Sequence, residues 1–187
     1  MGSLSKLISD KGWTLFLDRD GVINTRLPAD YVKVPEQFEF NPGVLEAMEV
    51  FSDLFSRVFV VTNQQGIGRG LMTHQDLNRV HEHMISIVNK AGGKIDKVYY
   101  SPDLSNQGSF TRKPAVGMGL KARKEFPEIR FKKSIMVGDT FSDMLFGRRL
   151  DMIDVLITTD PVEISVCGEM PDYLFPDLIS FAKELKR

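Results

Sequence analysis

Eight residues of this 187-residue chain have types and positions suited to phosphate chemistry. Asp18 and Asp20 follow the apolar run Thr14-Leu15-Phe16-Leu17. Thr62 and Asn63 stand at the end of Arg57-Val58-Phe59-Val60-Val61. Arg112 and Lys113 lie beyond a polar loop after Lys97-Val98-Tyr99-Tyr100. Asp139, with Asp143 one helical turn on, follows Ser134-Ile135-Met136-Val137-Gly138. Carboxylates, a hydroxyl and fixed positive charge together suit a phosphoryl group and a hard divalent cation. Mg2+ takes near-octahedral oxygen ligands, usually a few carboxylates plus water and substrate phosphate. Asp18 and Asp139 would supply side-chain oxygens and Asp20 its carbonyl. A phosphoryl group can then approach Asp18 despite like charge, and the carboxylate forms an aspartyl-phosphate that splits one hard step into two. Asp20 falls on the same side as Asp18 in an extended segment. It would give a proton to the leaving oxygen and later take one from water. Thr62 offers a hydroxyl, Asn63 a backbone N–H and Lys113 a fixed charge, preorganised groups of the kind that dominate phosphoryl-transfer catalysis. Asp143 is expected to orient the loop or the metal's water shell rather than bind metal. Each has an ordinary reading taken singly: a strand-end Asp is usually a turn or cap, Thr62 a β-former, Lys113 an exposed loop lysine, Asp143 a solvated helix residue. The functional reading rests on their order at successive strand ends.

The elements that position them alternate between short apolar runs and longer amphipathic stretches. Strands are expected at 14–17, 57–62, 97–100, 134–137 and 153–157, with a turn or short strand near 172–174. Asn41 is expected to cap a helix with Pro42 in its first turn and Val44, Leu45, Met48 and Phe51 on one face. Thr73 is expected to cap the next, with Asp76 as its capping-box partner. Further helices are expected from Pro114 to about Phe126, from about Phe141 to Leu150, and from Pro176 onward. This alternation is the pattern of an α/β fold with a parallel sheet. The strands are near-continuously apolar, as they are when helices cover both faces. Ligands in such sheets bind outside the carboxyl ends of the strands, where the eight residues fall.

The chain length suits one domain, 1–187. Lys and Arg total 24 against 25 Asp and Glu, a net charge of −1, which lacks the basic excess of a nucleic-acid binder. The single cysteine, Cys167, can form neither an internal disulfide nor a multi-cysteine zinc site. No apolar run approaches membrane-spanning length or a signal peptide's core. Met1-Gly2 hints at myristoylation, but Lys6 stands where that signal has Ser or Thr, and Gly2-Ser3 has an equally plain reading as an added remnant. A cytoplasmic monomer acting on a small-molecule phosphate ester, without nucleic-acid or membrane partners, is the expectation.

Asp18-Arg19-Asp20-Gly21-Val22-Ile23-Asn24 resembles the DxDG(T/V) signature of the haloacid dehalogenase-like (HAD) phosphohydrolases. Val60-Val61-Thr62-Asn63 resembles their second motif, Lys113 the third, and Gly138-Asp139-Thr140-Phe141-Ser142-Asp143 the fourth, over about Trp13 to Ile157. The resemblance implies a Rossmann-like sheet, and the short stretches between motifs leave room for a minimal cap or none. More finely, DRDGVIN, Phe38 and Phe40 before Asn41-Pro42-Gly43, VTNQQGIGRG, Val98-Tyr99-Tyr100 and Arg112-Lys113-Pro114 resemble the D-glycero-D-manno-heptose 1,7-bisphosphate phosphatases, a pattern shared by histidinol-phosphate phosphatases. That resemblance implies that Arg112 helps recognise substrate, Lys113 steadies the phosphoryl group, and Gln64 and Gln65 lie along the substrate cleft. Two departures stand out. Ser101, Asp103 and Thr111 occupy places where family members commonly carry zinc ligands, so no zinc is expected. Thr140 stands where the heptose enzymes tend to have Lys.

Other patterns carry less. His81 and His83 are two apart on an expected helix and point to different faces, so these and His74 read as solvent-facing or partly packed. Gly66, Gly68 and Gly70 lack dinucleotide spacing and read as a flexible loop beside the substrate. Arg148-Arg149 and Lys132-Lys133 read as solvated surface. Two rival functions fit the residues less well. A receiver-type phospho-acceptor domain would have Asp at the strand end held by Thr62. A HAD scaffold retired to binding would have lost its nucleophile or acid, and both are present.

Overall fold

The computed structural model describes residue 8 and residues 12–187; Met1, Gly2, Ser3 and Lys6 lie outside the described residues. Six strands, β1 (Thr14–Leu17), β2 (Arg57–Asn63), β3 (Lys97–Ser101), β4 (Ser134–Gly138), β5 (Ile153–Ile157) and β6 (Tyr173–Phe175), form one sheet in the order β3-β2-β1-β4-β5-β6. Every neighbouring pair is parallel. β1 is central, with Leu17 opposite Val60 on one side and Val137 on the other. The carboxyl ends of β2, β1 and β4 are therefore adjacent, which places Thr62, Asp18 and Asp139 together.

Both faces are covered. Leu15, Leu17, Val58, Val60, Ile135 and Val137 pack against α1 (Val44–Leu54), α2 (His74–Lys90) and α6 (Leu178–Leu185). The alternate residues Phe16, Phe59, Val61 and Met136 pack against α3 (Gly117–Glu125) and α4 (Phe141–Arg149). A short helix, α5 (Pro161–Cys167), covers Leu156 with Cys167. Burial on two faces explains why the strands read as unbroken apolar runs. Each fully buried Phe or Leu contributes about 1.5–3 kcal/mol of transfer free energy. Between β1 and α1 the only helical element is a three-residue 3-10 turn, Pro35–Gln37, so no cap domain is inserted there. Among the described residues no helix is long and apolar enough to cross a membrane.

Several local expectations change. Asn41 does not cap α1. Its amide donates to the carbonyls of Gly21 and Val22, and the helix starts at Val44 after Gly43, whose φ of 73° favours glycine. Pro114 does not open α3. The backbone from Phe110 to Gly117 is spent on turns around Lys113, and the helix begins at Gly117. The Gly66–Gly70 loop is a set of bonded turns, with Gly68 N–H donating to Pro102 O and Leu71 N–H to Gly66 O. Arg148 and Arg149 donate to the carbonyls of Met170 and Pro114 rather than only to water. The Thr73–Asp76 capping box forms as expected.

Candidate active site

The loop after β1 builds the first wall. Ile23 and Asn24 donate backbone hydrogen bonds to Arg19 O, folding residues 19–24 into a tight turn. Gly21 sits there at φ 96°, where a Cβ would lie 1.9 Å from Asp139 Oδ2. Only glycine allows this loop to approach the loop after β4. Asp18 and Asp20 face a cleft of about 450 Å³, while Arg19 between them is fully buried beneath it.

Lys113 is the hub of the buried charges. Its Nζ donates to Val61 O at 2.6 Å and forms ion pairs with Asp18 Oδ1 at 2.8 Å and Asp143 Oδ1 at 2.6 Å, so the ammonium is enclosed by buried oxygens. The Asn63 side chain holds its backbone, donating to Lys113 O at 3.0 Å and accepting from Lys113 N–H at 2.9 Å. Asp18 Oδ1 also accepts from Arg19 N–H at 2.7 Å, which leaves Oδ2 without a protein partner among the described residues. Asp143 Oδ2 accepts from Thr140 N–H and Oγ1, tying the start of α4 to the same cluster.

These carboxylates are short of positive charge. Burial pushes Asp18 up to about 6 against the lowering pull of Lys113, with Asp143 adding to the rise. Burial, Asp18 and Asp143 hold Asp139 well above the usual carboxylate range. Oxygens from Asp18, Asp139 and Asp143 all lie within 4.8 Å of one another. Hard oxygens, partial burial and excess negative charge fit a hard divalent cation held by Asp18, Asp139 and the Asp20 carbonyl.

Asp20 is held as a carboxylate. Arg19 Nε and Nη2 and Asn24 Nδ2 donate to Oδ1, while Arg19 Nη2 and Gln64 Nε2 donate to Oδ2, the last at 2.6 Å. Burial raises its pKa, but Arg19, Asn24 and Gln64 more than offset this and hold it below the usual value. Before substrate arrives Asp20 is therefore equipped as a base. A proton for the leaving oxygen has to be acquired once a dianionic phosphoryl group raises its pKa.

Gln64 departs from its expected place along the substrate cleft. It is fully buried, and its Nε2 donates to both Asp20 Oδ2 and Thr62 Oγ1. Only the amide nitrogen can face the Asp20 carboxylate, which fixes the orientation of the side chain. The Thr62 hydroxyl accepts this bond, so its own proton is free for an oxygen in the cleft. Gln65, Asn63, Thr62, Arg112 and Lys113 do line the cleft, and Gln65 Oε1 has no hydrogen-bond partner. His81 is not solvent-facing. It is buried and its Nε2 lies 3.1 Å from Arg19 Nη1, while burial first and Arg19 second lower its pKa to about 3. Neutral His81 therefore accepts from the guanidinium that grips Asp20.

Arg26, Tyr31, Arg69 and Ser142 also line the cleft and were not singled out from the sequence. A basic or aromatic loop residue carries no periodic signal, so only the folded chain reveals them. Ser101, Ser109 and Thr111 donate their hydroxyls to Asp103 Oδ2. One carboxylate and three hydroxyls are not the Cys/His set of a structural zinc site. The cluster braces the loop by hydrogen bonds, and Arg112 Nη1 donates to Asp103 O at 3.3 Å.

Comparison with known proteins places this geometry. A family profile described as polynucleotide kinase 3 phosphatase matches residues 14–159. The D-glycero-alpha-D-manno-heptose-1,7-bisphosphate 7-phosphatase of Campylobacter jejuni subsp. jejuni is 40% identical over 146 residues, covering 78% of this chain and 82% of that one. The beta-anomer counterpart of Helicobacter pylori is 34% identical over 151 residues, covering 80% and 85%. The crystal structure of D,D-heptose 1,7-bisphosphate phosphatase from B. bronchiseptica, complexed with magnesium and phosphate, superposes with a TM-score of 0.84 at 28% identity, covering 93% of this chain and 98% of that one.

Proposed function

This chain belongs to the polynucleotide kinase 3 phosphatase family of HAD-like phosphatases, and from that membership we propose that it removes the 7-phosphate of D-glycero-D-manno-heptose 1,7-bisphosphate. It is a phosphoric monoester hydrolase. The observation that carries the substrate choice is a pair of arginines. Arg69 and Arg112 line the same cleft as Asp18, and after burial Arg69 is a cause that depresses the Arg112 pKa. Two guanidinium groups that repel each other are relieved by a second anion. A sugar bisphosphate supplies one when its scissile phosphate lies at Asp18. Histidinol phosphate would bring an ammonium group, which this pair disfavours.

In this reading Asp18 Oδ2 attacks phosphorus in line, and the bond from phosphorus to the sugar oxygen breaks as the Asp18–phosphorus bond forms. Lys113 holds Asp18 Oδ1 in place. Thr62 donates its hydroxyl proton to a phosphoryl oxygen, because Gln64 occupies its acceptor side. Asp20 carries a proton to the departing alkoxide, then removes one from the water that hydrolyses the aspartyl-phosphate. Mg2+, held by Asp18, Asp139 and the Asp20 carbonyl, would neutralise charge on the phosphoryl oxygens.

Phosphate release from both anomers of heptose 1,7-bisphosphate, histidinol phosphate and hexose monophosphates, measured with Mg2+, tests the substrate. The bisphosphate should show the highest kcat/KM, and Arg112→Gln should raise its KM more than that of a monophosphate. Equal kcat/KM for monophosphates would overturn the substrate choice. Asp18→Asn should retain the fold and lose turnover, and near-wild-type turnover would remove Asp18 as nucleophile.

A further inference from the structure

Arg26 occupies an unexpected position. Its Nη2 lies 2.8 Å from Asp139 Oδ1 and 3.0 Å from the carbonyl oxygen of Asp20. Those are two of the three oxygens assigned above to the divalent cation. Among the described residues the guanidinium hydrogen-bonds to these two oxygens alone. We propose that Arg26 is the resident cation of the metal-free site, that Mg2+ and its guanidinium compete for the same oxygens, and that loading the metal displaces Arg26. The inference rests on the metal reading given above.

Geometry makes the two cations exclusive. Mg2+ binds oxygen at about 2.0–2.1 Å and demands near-octahedral order. A nitrogen bridging Asp139 Oδ1 and Asp20 O stands where that ion would sit. Electrostatics explains why the guanidinium is there. Burial disfavours its charge, but Asp139, Asp18, Asp143 and Asp20 together attract it, Asp139 most strongly. Asp139 is relieved in turn, since Arg26 is the largest of the influences that lower its pKa. Gly21 keeps the Asp20 carbonyl and Asp139 close enough for one group to span them.

The contact is also reversible by construction. The Arg26 side chain is 48% exposed and Asp139 15%, so only the carboxylate end of the pair is buried and Arg26 can leave into the cleft it lines. A pair of this exposure is weak enough to yield to a divalent ion, yet strong enough to reduce its apparent affinity. Lys113 differs: its side chain is 1% exposed and ion-paired to both Asp18 and Asp143, so it stays whether metal is present or not.

Calorimetric titration of Mg2+ into the full chain, without substrate, tests the competition. Arg26→Gln should bind Mg2+ about two- to fivefold more tightly than wild type, the range expected for removing one exposed ion pair. Arg26→Lys, which keeps a mobile charge, should fall between them. Asp139→Asn should abolish binding in either background. A second readout is thermal. Without metal Arg26→Gln should melt below wild type, and saturating Mg2+ should close the gap. Mg2+ binding that is unchanged or weaker in Arg26→Gln, or a melting gap that persists with metal, would overturn the competition and leave the metal site standing. Absence of Mg2+ binding to wild type, or binding that survives Asp139→Asn, would overturn the metal reading and the competition together.

Discussion

Replacing Lys113 with methionine keeps the aliphatic stem and deletes the charge on which the buried carboxylates depend. Lys113 Nζ meets Asp18, Asp143 and the Val61 carbonyl, with side-chain exposures of 1% for Lys113, 9% for Asp18 and 1% for Asp143. Removing one partner of so buried a group costs about 3–5 kcal/mol, because the carboxylates remain desolvated and lose their counter-charge. For a chain of this size each kcal/mol moves Tm by about 2–4 °C, so a fall of about 6–20 °C is expected at pH 8 in EDTA. The loss depends on pH. Asp18 already titrates near 6 in the folded protein because burial outweighs Lys113. A carboxyl raised in the folded state loses stability as pH climbs from its unfolded value, near 4, through its folded value. Without Lys113 the folded values of Asp18 and Asp139 rise further, so this loss continues above pH 6 in the variant and stops there for Asp18 in wild type. The Tm difference should therefore be small at pH 5 and large at pH 8. Mg2+ should recover part of it by restoring positive charge near Asp18 and Asp139, while kcat stays down by at least about 10²-fold. Calorimetry at the two pH values, with and without Mg2+, reads all of this. A Lys113→Met protein melting within about 2 °C of wild type at pH 8 would refute the account of Lys113 as charge hub.

Two further outcomes follow from buried polar groups. Gln64→Leu removes the donor shared by Asp20 and Thr62. It should lower kcat about 10- to 100-fold and move the acidic limb of aspartyl-phosphate hydrolysis, the step in which Asp20 is the base, to higher pH, since Gln64 helps depress the Asp20 pKa; an unmoved limb in single-turnover dephosphorylation would assign Gln64 to packing alone. Asp154 is fully buried, neither carboxylate oxygen has a hydrogen-bond partner among the described residues, and burial, then Asp172, pushes its pKa to about 8 against the pull of Arg148 at 3.6 Å. Wild-type stability should therefore fall between pH 5 and 8, and Asp154→Asn should be about 2 kcal/mol or more the stabler protein at pH 8; urea-denaturation curves whose pH dependence is parallel would contradict this.

The architecture was legible because its signals are local and repetitive. Apolar runs at 14–17, 57–62 and 134–137 have one simple reading when both faces of a sheet are covered, and a parallel sheet sends the ends of its strands to one edge. That reasoning brings Asp18, Thr62 and Asp139 to one edge of the sheet, and β1 lies between β2 and β4 as it requires. Chain breaks were less legible. Asn41 and Pro42 carry every local mark of a helix start, yet the Asn41 amide is drawn to the carbonyls of Gly21 and Val22, about twenty residues back. A local propensity of about 1 kcal/mol yields to a tertiary hydrogen-bond demand of similar size when the acceptors have no other donor.

Side-chain roles divide along the same line. Residue type and order already offer a candidate nucleophilic carboxylate, a second acid two residues on, a strand-end hydroxyl, a lysine and a distal acidic pair, because those are what phosphoryl transfer needs. Tertiary structure alone decides which charge meets which. Gln64 turns inward to Asp20, buried His81 stays neutral beneath Arg19, Lys113 pairs with two buried carboxylates at once, and Arg26 reaches 113 residues along the chain to Asp139. Coulombic and hydrogen-bond energies depend on separations of a few ångströms and on the water excluded from them. Sequence distance encodes neither quantity, and packing sets both.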